Sequence, residues 1–227
     1  MTIGQCGVQC LQFTTKQAGE TRSVVFMPEE HRGGAKVYGE HSRTVRGGPV
    51  SQTQGRPIRQ AEGRQIEQAD VALFPFSQTK ASFVISGPGE YDCAGFRIMV
   101  IPVVREDSHW KSAVVLSDAE CAVGIFDPDT ARALKDEHID AIGTVDVMLY
   151  VMPQDRGEKD ERMSVKGIEA SHQIEPTVLI PYGSRDAVLA ALKFLGIKKA
   201  EEHTSFRYKR SDAEQEQQHL RVIVLKR

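Results

Sequence analysis

Gly87-Pro88-Gly89-Glu90-Tyr91-Asp92-Cys93-Ala94-Gly95-Phe96-Arg97-Ile98 is the stretch on which the fold turns. Gly87-Pro88-Gly89 predicts a tight turn, because glycine accepts positive φ and proline fixes its own φ. Residues 90–93 and 96–104 then read as a hairpin closed by Ala94-Gly95. In front stands Ala69-Asp70-Val71-Ala72-Leu73-Phe74-Pro75-Phe76-Ser77-Gln78-Thr79, a buried strand running into a loop, and residues 82–86 form a further strand.

Working outward, residues 8–13 and 23–26 are short apolar runs joined by a polar segment containing Gly19, so they read as another hairpin. Residues 29–68 differ in character. They hold Gly33-Gly34, Gly39, Gly47-Gly48, Gly55 and Gly63 with seven Arg or Lys, and have almost no apolar periodicity. That pattern predicts a long, partly mobile loop with one short strand near 35–38. Downstream, residues 113–116 and 122–126 are strands joined through Ser117-Asp118-Ala119-Glu120. Up to this point the chain is β-rich and, by connection length, mostly antiparallel.

The second half alternates. Residues 129–142 carry helical spacing (Ala133, Leu134, His138 and Ala141 share a face) and end near Gly143. Residues 145–152 read as a strand buried on both faces. A helix is expected over 165–174, stopping before Pro176. Residues 177–181 form a buried strand, 185–195 a helix closed by Gly196, and 205–209 and 220–225 the last strands.

The chain has 227 residues and is expected to form one domain over 1–227, with the Gly/Arg-rich loop at about 29–68. Its formal net charge of -2 gives no global reason to bind nucleic acid or an anionic membrane. No apolar run is long enough to span a bilayer, and the first residues lack a secretory pattern, so a cytoplasmic location is expected. Cys6, Cys10, Cys93 and Cys121 offer one close pair and no second, which favours buried thiols over a disulfide framework or a metal site.

Four segments in order resemble the lactonase-like zinc hydrolase branch of the metallo-β-lactamase superfamily. Phe83-Val84-Ile85-Ser86-Gly87-Pro88-Gly89-Glu90-Tyr91 is similar to that family's strand and PGEYE turn. Residues 129–146, with Leu134, Glu137, Ile142-Gly143 and Val145-Asp146-Val147, resemble its GD-loop, helix and DVL strand. Ile174-Glu175-Pro176-Thr177-Val178-Leu179-Ile180-Pro181 resembles its last core strand, and Phe206-Arg207-Tyr208-Lys209 with Val222-Ile223-Val224-Leu225 its closing pair. The resemblance implies an α/β fold of the αββα sandwich type: two mostly antiparallel sheets with helices outside.

It also implies a metal site, which this sequence does not supply. In that family, histidines and aspartates at strand ends bind Zn²⁺ or Mn²⁺, lowering the pKa of a bound water. Here Val8 stands where an early histidine would fall, and Met27-Pro28 replaces Asp-Pro. Phe76 and Gln78 replace the paired histidines, Phe126 another, and Gly183 the late one. Asp129 alone matches a ligand, after Pro128 where the family has glycine. One carboxylate does not hold a catalytic transition metal. His31, His41 and His109 could regroup as ligands, but no two are placed as a strong pair.

Other signals are weaker. The basic loop could bind RNA or an acidic partner, but a solvated loop explains it better. Arg207-Tyr208-Lys209-Arg210 fits an edge strand. Ser184 has no Gly-x-Ser-x-Gly elbow, and Glu90 with Asp92 belongs to the structural turn. The reading that follows is a divergent fold member without metal or other cofactor, acting by binding or as a scaffold. An unknown protein partner or a second copy is its expected counterpart. The residual cleft should be lined by Phe74, Phe76, Gln78, Glu90, Phe126, Asp129, Tyr182 and Gly183, with Asp129 contacting backbone N–H groups or a basic side chain and capping the following helix. The alternatives are a hydrolase of lactones or phosphoesters rebuilt around Asp129 with Zn or Mn, and a nucleic-acid module using the basic loop.

Overall fold

The computed structural model describes residues 1–7, 10–17, 19–26, 69–73, 81–85, 87–106, 109–152, 167–168, 173–209 and 220–226. The loop expected at 29–68 and the strand near 35–38 lie outside these residues. Of the helix expected over 165–174, only residues 167 and 168 are described as helical.

Two sheets face each other. The first contains β1 (Thr2–Gly7), β2 (Cys10–Gln17), β3 (Glu20–Phe26), β4 (Ala69–Leu73), β5 (Ala81–Ile85) and β13 (Ser205–Arg207), in the order β13-β1-β2-β3-β4-β5. The second contains β6 (Gly89–Cys93), β7 (Phe96–Glu106), β8 (His109–Ser117) and β9 (Ala122–Phe126). It continues with β10 (Val147–Val151), β11 (Val178–Tyr182), β12 (Glu201–His203) and β14 (Arg221–Leu225), in the order β12-β14-β11-β10-β9-β8-β7-β6. Helices α1 (Pro128–Arg132), α2 (Asp136–Ile142) and α3 (Arg185–Phe194) cover the outer face of the second sheet. Among the described residues, no helix is long and apolar enough to cross a membrane.

Side-chain alternation explains the layering. In β10, Val147, Leu149 and Val151 enter the core between the sheets, while Met148 and Tyr150 enter the layer beneath the helices. β10 is buried along its whole length because it is covered on both faces. The inter-sheet core also takes Leu11, Phe13, Val24 and Phe26 from the first sheet and Phe96, Ile98, Leu116 and Ile125 from the second.

The sheets are antiparallel where hairpins build them and where β1 meets β13, and parallel in the other pairings. β1, β2 and β3 pair antiparallel, as do β6, β7, β8 and β9. β3 with β4, β4 with β5, β9 with β10, β10 with β11, β11 with β14 and β12 with β14 are parallel. The long pairings are therefore antiparallel, whereas the strand-helix half of the second sheet is a parallel array.

Several elements differ from the sequence reading. The first hairpin is longer and tighter than expected, pairing Gln17 with Glu20. Its polar residues alternate with Leu11 and Phe13, so they form the outward face of a strand instead of a loop. The helix expected over 129–142 is two short helices separated by residues 133–135. β1 and β12 are further strands that their short, polar sequences do not announce. Among the described cysteines, Cys121 is a buried thiol and Cys93 is partly buried.

Candidate functional site

β9 delivers the chain into α1 through Phe126-Asp127-Pro128-Asp129-Thr130. Asp127 has extended backbone and is the N-cap: its carboxylate accepts from Thr130 N at 2.7 Å and from Thr130 Oγ1 at 3.0 Å. Pro128 occupies the first helical position, where a missing N–H costs nothing. The cap assigned to Asp129 by sequence therefore belongs to Asp127.

Asp129 lies in the first turn instead and is held by cations. Lys111 Nζ, from β8, donates to Oδ2 at 2.6 Å, and Arg132, one helical turn on, donates to Oδ1. Burial alone would raise the Asp129 pKa, but the hydrogen bonds and charges of Lys111 and Arg132 outweigh it and hold the carboxyl below its ordinary value. Beneath this cluster lies Tyr150, fully buried in β10. Its phenol is pushed well up, first by burial and then by the charge of Asp127. Gly167 packs against it so closely that a Cβ there would meet the phenol oxygen at 2.1 Å. Lys111, Ala113 and Val115 alternate onto one face of β8, and the latter two belong to the helix-side layer. The Asp129 cluster therefore sits on the helix side of the second sheet.

Among the described residues, the others expected in the cleft do not converge. Phe126 is fully buried in the helix-side layer, whereas Tyr182 belongs to the core between the sheets. The register agrees: Phe126 pairs with Tyr150, and Tyr182 with Val151, which face opposite sides of the sheet. Glu90 is exposed on the edge strand β6 and pairs with Arg97 at 3.2 Å. Gly183 is buried, and a Cβ there would lie 3.0 Å from Met152 O and 3.1 Å from Met152 Cβ. A Cβ there would require Met152, whose N donates to Tyr182 O at 2.7 Å, to give by a few tenths of an ångström. Phe74, Phe76, Gln78, His31 and His41 lie outside the described residues, as do Val8, Met27 and Pro28. His109 is described only as part of β8.

Among the described residues, no three His, Cys, Asp or Glu side chains gather as a metal would require. The donors around Asp129 among the described residues do not fit a zinc or manganese ion, because its carboxylate is already satisfied by two cations. His138 is also engaged: its Nδ1 accepts from Lys135 N at 3.1 Å and starts α2. The basic partner expected for Asp129 is thus present, but sequence reasoning did not single out Lys111 or Arg132. Arg132 was accessible in principle from its i,i+3 spacing. Lys111 carried no local signal, since β8 brings it from 18 residues upstream.

A comparison with solved structures places this architecture. A Thermotoga maritima protein assigned to the zinc-dependent hydrolases of the metallo-β-lactamase superfamily matches 99% of this chain and 99% of its own, with a TM-score of 0.56 and 16% identity. The chain thus has the metallo-β-lactamase fold, an α/β sandwich. CmlA β-hydroxylase matches with a TM-score of 0.48 and 11% identity over 99% of this chain and 52% of its own. The metallo-β-lactamase fold protein YhfI from Bacillus subtilis matches at 0.36 and 8% over 73% of this chain and 63% of its own. These two likenesses are too slight to say more. No protein-family model matches the chain, and no curated protein matches it.

Proposed function

We propose that this protein uses the metallo-β-lactamase fold without its metal chemistry and works by binding, as a partner subunit or scaffold. One observation carries the reading: the carboxylate at the sole matching ligand position, Asp129, is neutralised by Lys111 and Arg132. A carboxylate committed to two cations stabilises a helix turn and is unavailable as a ligand unless both are displaced.

The test is elemental analysis of protein purified without chelator, beside a panel of lactone, phosphodiester and thioester substrates. The expected outcome is well below one Zn, Mn or Fe per chain and no metal-dependent turnover, with Asp129→Ala changing neither. One tightly held ion per chain that is lost in Asp129→Ala, together with turnover that is lost with it, would establish a hydrolase and overturn the proposal.

A further inference from the structure

The second sheet ends in β14 and then β12, and α3 lies over this end. Between them runs a groove of about 890 Å³, within the size range of small-molecule sites. Part of its wall is aliphatic. Val188 and Leu192 line it from α3, and Val224 lines it from β14. Leu189 also lines it and remains 52% exposed, an unusual surplus of apolar surface on a helix whose other face is already packed.

The charges around the groove are unequal. Arg185, Lys198, Lys199 and Lys226 line it, against Glu201 and Glu202. Both carboxylates are already answered. Glu201 accepts from Arg221 at 3.0 Å and lies 3.3 Å from His203, and Glu202 pairs with Lys226 at 2.8 Å. Lys198 and Lys199, side by side at the end of the groove beyond the C-terminus of α3, have no carboxylate partner among the described residues. An occupant must therefore bring aliphatic surface for Leu189 and Val224 and a negative group for the two lysines.

We propose that this groove binds a long-chain aliphatic carboxylate. The head lies between Lys198 and Lys199, and the chain runs back along Leu192, Leu189 and Val188. A free chain fits better than a protein segment. The helical wall offers aliphatic side chains and no polar side chain between them to answer a peptide backbone. A docked protein would also need an interface of roughly 1,000 Å² or more to persist. The groove lies four strands from Lys111, so this site does not depend on the loss of metal chemistry at Asp129. The metal analysis and the binding assay can fail separately.

The probe is dodecanoate below its micelle concentration, titrated into the full chain by calorimetry and followed by methyl NMR. The expected result is saturable binding, with shifts concentrated at Val188, Leu189, Leu192 and Val224. Lys198→Glu with Lys199→Glu should weaken affinity at least tenfold, and so should Leu189→Glu. These residues are exposed, so the folded state should survive, which unchanged melting curves would verify. Dodecanol, lacking the charge, should bind at least tenfold more weakly. Four results would overturn the proposal: affinity unchanged in both variants, equal binding of dodecanol, shifts confined to other residues, or tighter binding of a polyglutamate peptide or anionic vesicles than of free dodecanoate.

Discussion

Asp127 and Asp129 lie two residues apart and hold different partners, which makes them separable by mutation. Asp127→Ala removes an N-cap that satisfies both the amide and the hydroxyl of Thr130. It should cost about 1–2 kcal/mol of unfolding free energy in urea titrations, independent of salt. Asp129→Ala removes half-exposed ion pairs, screened by solvent, and should cost about 0.5–1 kcal/mol at low salt and less at 1 M NaCl. Because the Asp129 pKa is lowered on folding, its contribution is present above the unfolded carboxyl value and disappears as pH falls through the folded one. Asp146 is a third carboxylate with a purely structural setting. Buried at the start of β10, it accepts from Ala122 N at 2.8 Å and from Tyr208 Oη at 3.1 Å. The Tyr208 pKa is pushed up to about 12, first by burial and then by Asp146. Its unfolded value is about 10, so the neutral phenol contributes stability that is fully present below pH 10 and lost as pH rises through about 12. Tyr208→Phe should flatten that alkaline limb in pH-dependent urea melts.

At the scale of elements, the β6–β7 turn was readable and also shows a local conflict. Ala94 and Gly95 have φ of 53° and 77°, the pair of positive values that a type I′ hairpin turn demands. Glycine meets this without cost, but alanine pays roughly 1–2 kcal/mol for a left-handed backbone. Ala94→Asn, which keeps the Cβ and tolerates this region, should raise stability by about 0.5–1 kcal/mol in thermal or urea melts. The broken α1–α2 segment shows the opposite limit of sequence reading. No glycine or proline interrupts residues 129–142, so periodicity implies one helix. The interruption comes instead from Ala133 N, which closes back onto Asp129 O and Thr130 O, and from His138, which caps the next start. Local propensity does not register such a break.

For the whole molecule, the second sheet should be the last part to open. β9, β10 and β11 are flanked by strands on both sides and covered by core on both faces. Amide exchange should therefore be slowest at Val147 to Val151 and at Val178, Leu179 and Ile180, with rates set by global unfolding. The edge strands β5, β6 and β12 should exchange orders of magnitude faster. The first sheet is closed late in the sequence, because β1 pairs with β13 through Thr2 with Arg207 and Ile3 with Phe206. Its completion requires both ends of the chain to meet, a contact of high loop-closure entropy.

The sequence by itself determined the turns and the buried strands. Gly and unbroken apolar runs act locally, so the Ala94-Gly95 turn, residues 122–126, 147–151 and 178–181 and the helix before Gly196 were legible from their own residues. It also determined that Val8, Phe76, Gln78, Phe126 and Gly183 supply no imidazole, since that requires only identity. Tertiary structure decided the rest. Whether a side chain faces the core between the sheets or the helix layer depends on register, and register separated Phe126 from Tyr182. Whether a carboxylate caps, ligates or pairs depends on what distant strands deliver, and Lys111 made Asp129 an ion-pair partner. The groove under α3 was invisible for the same reason: its walls come from α3 and β14, which only the folded sheet brings together.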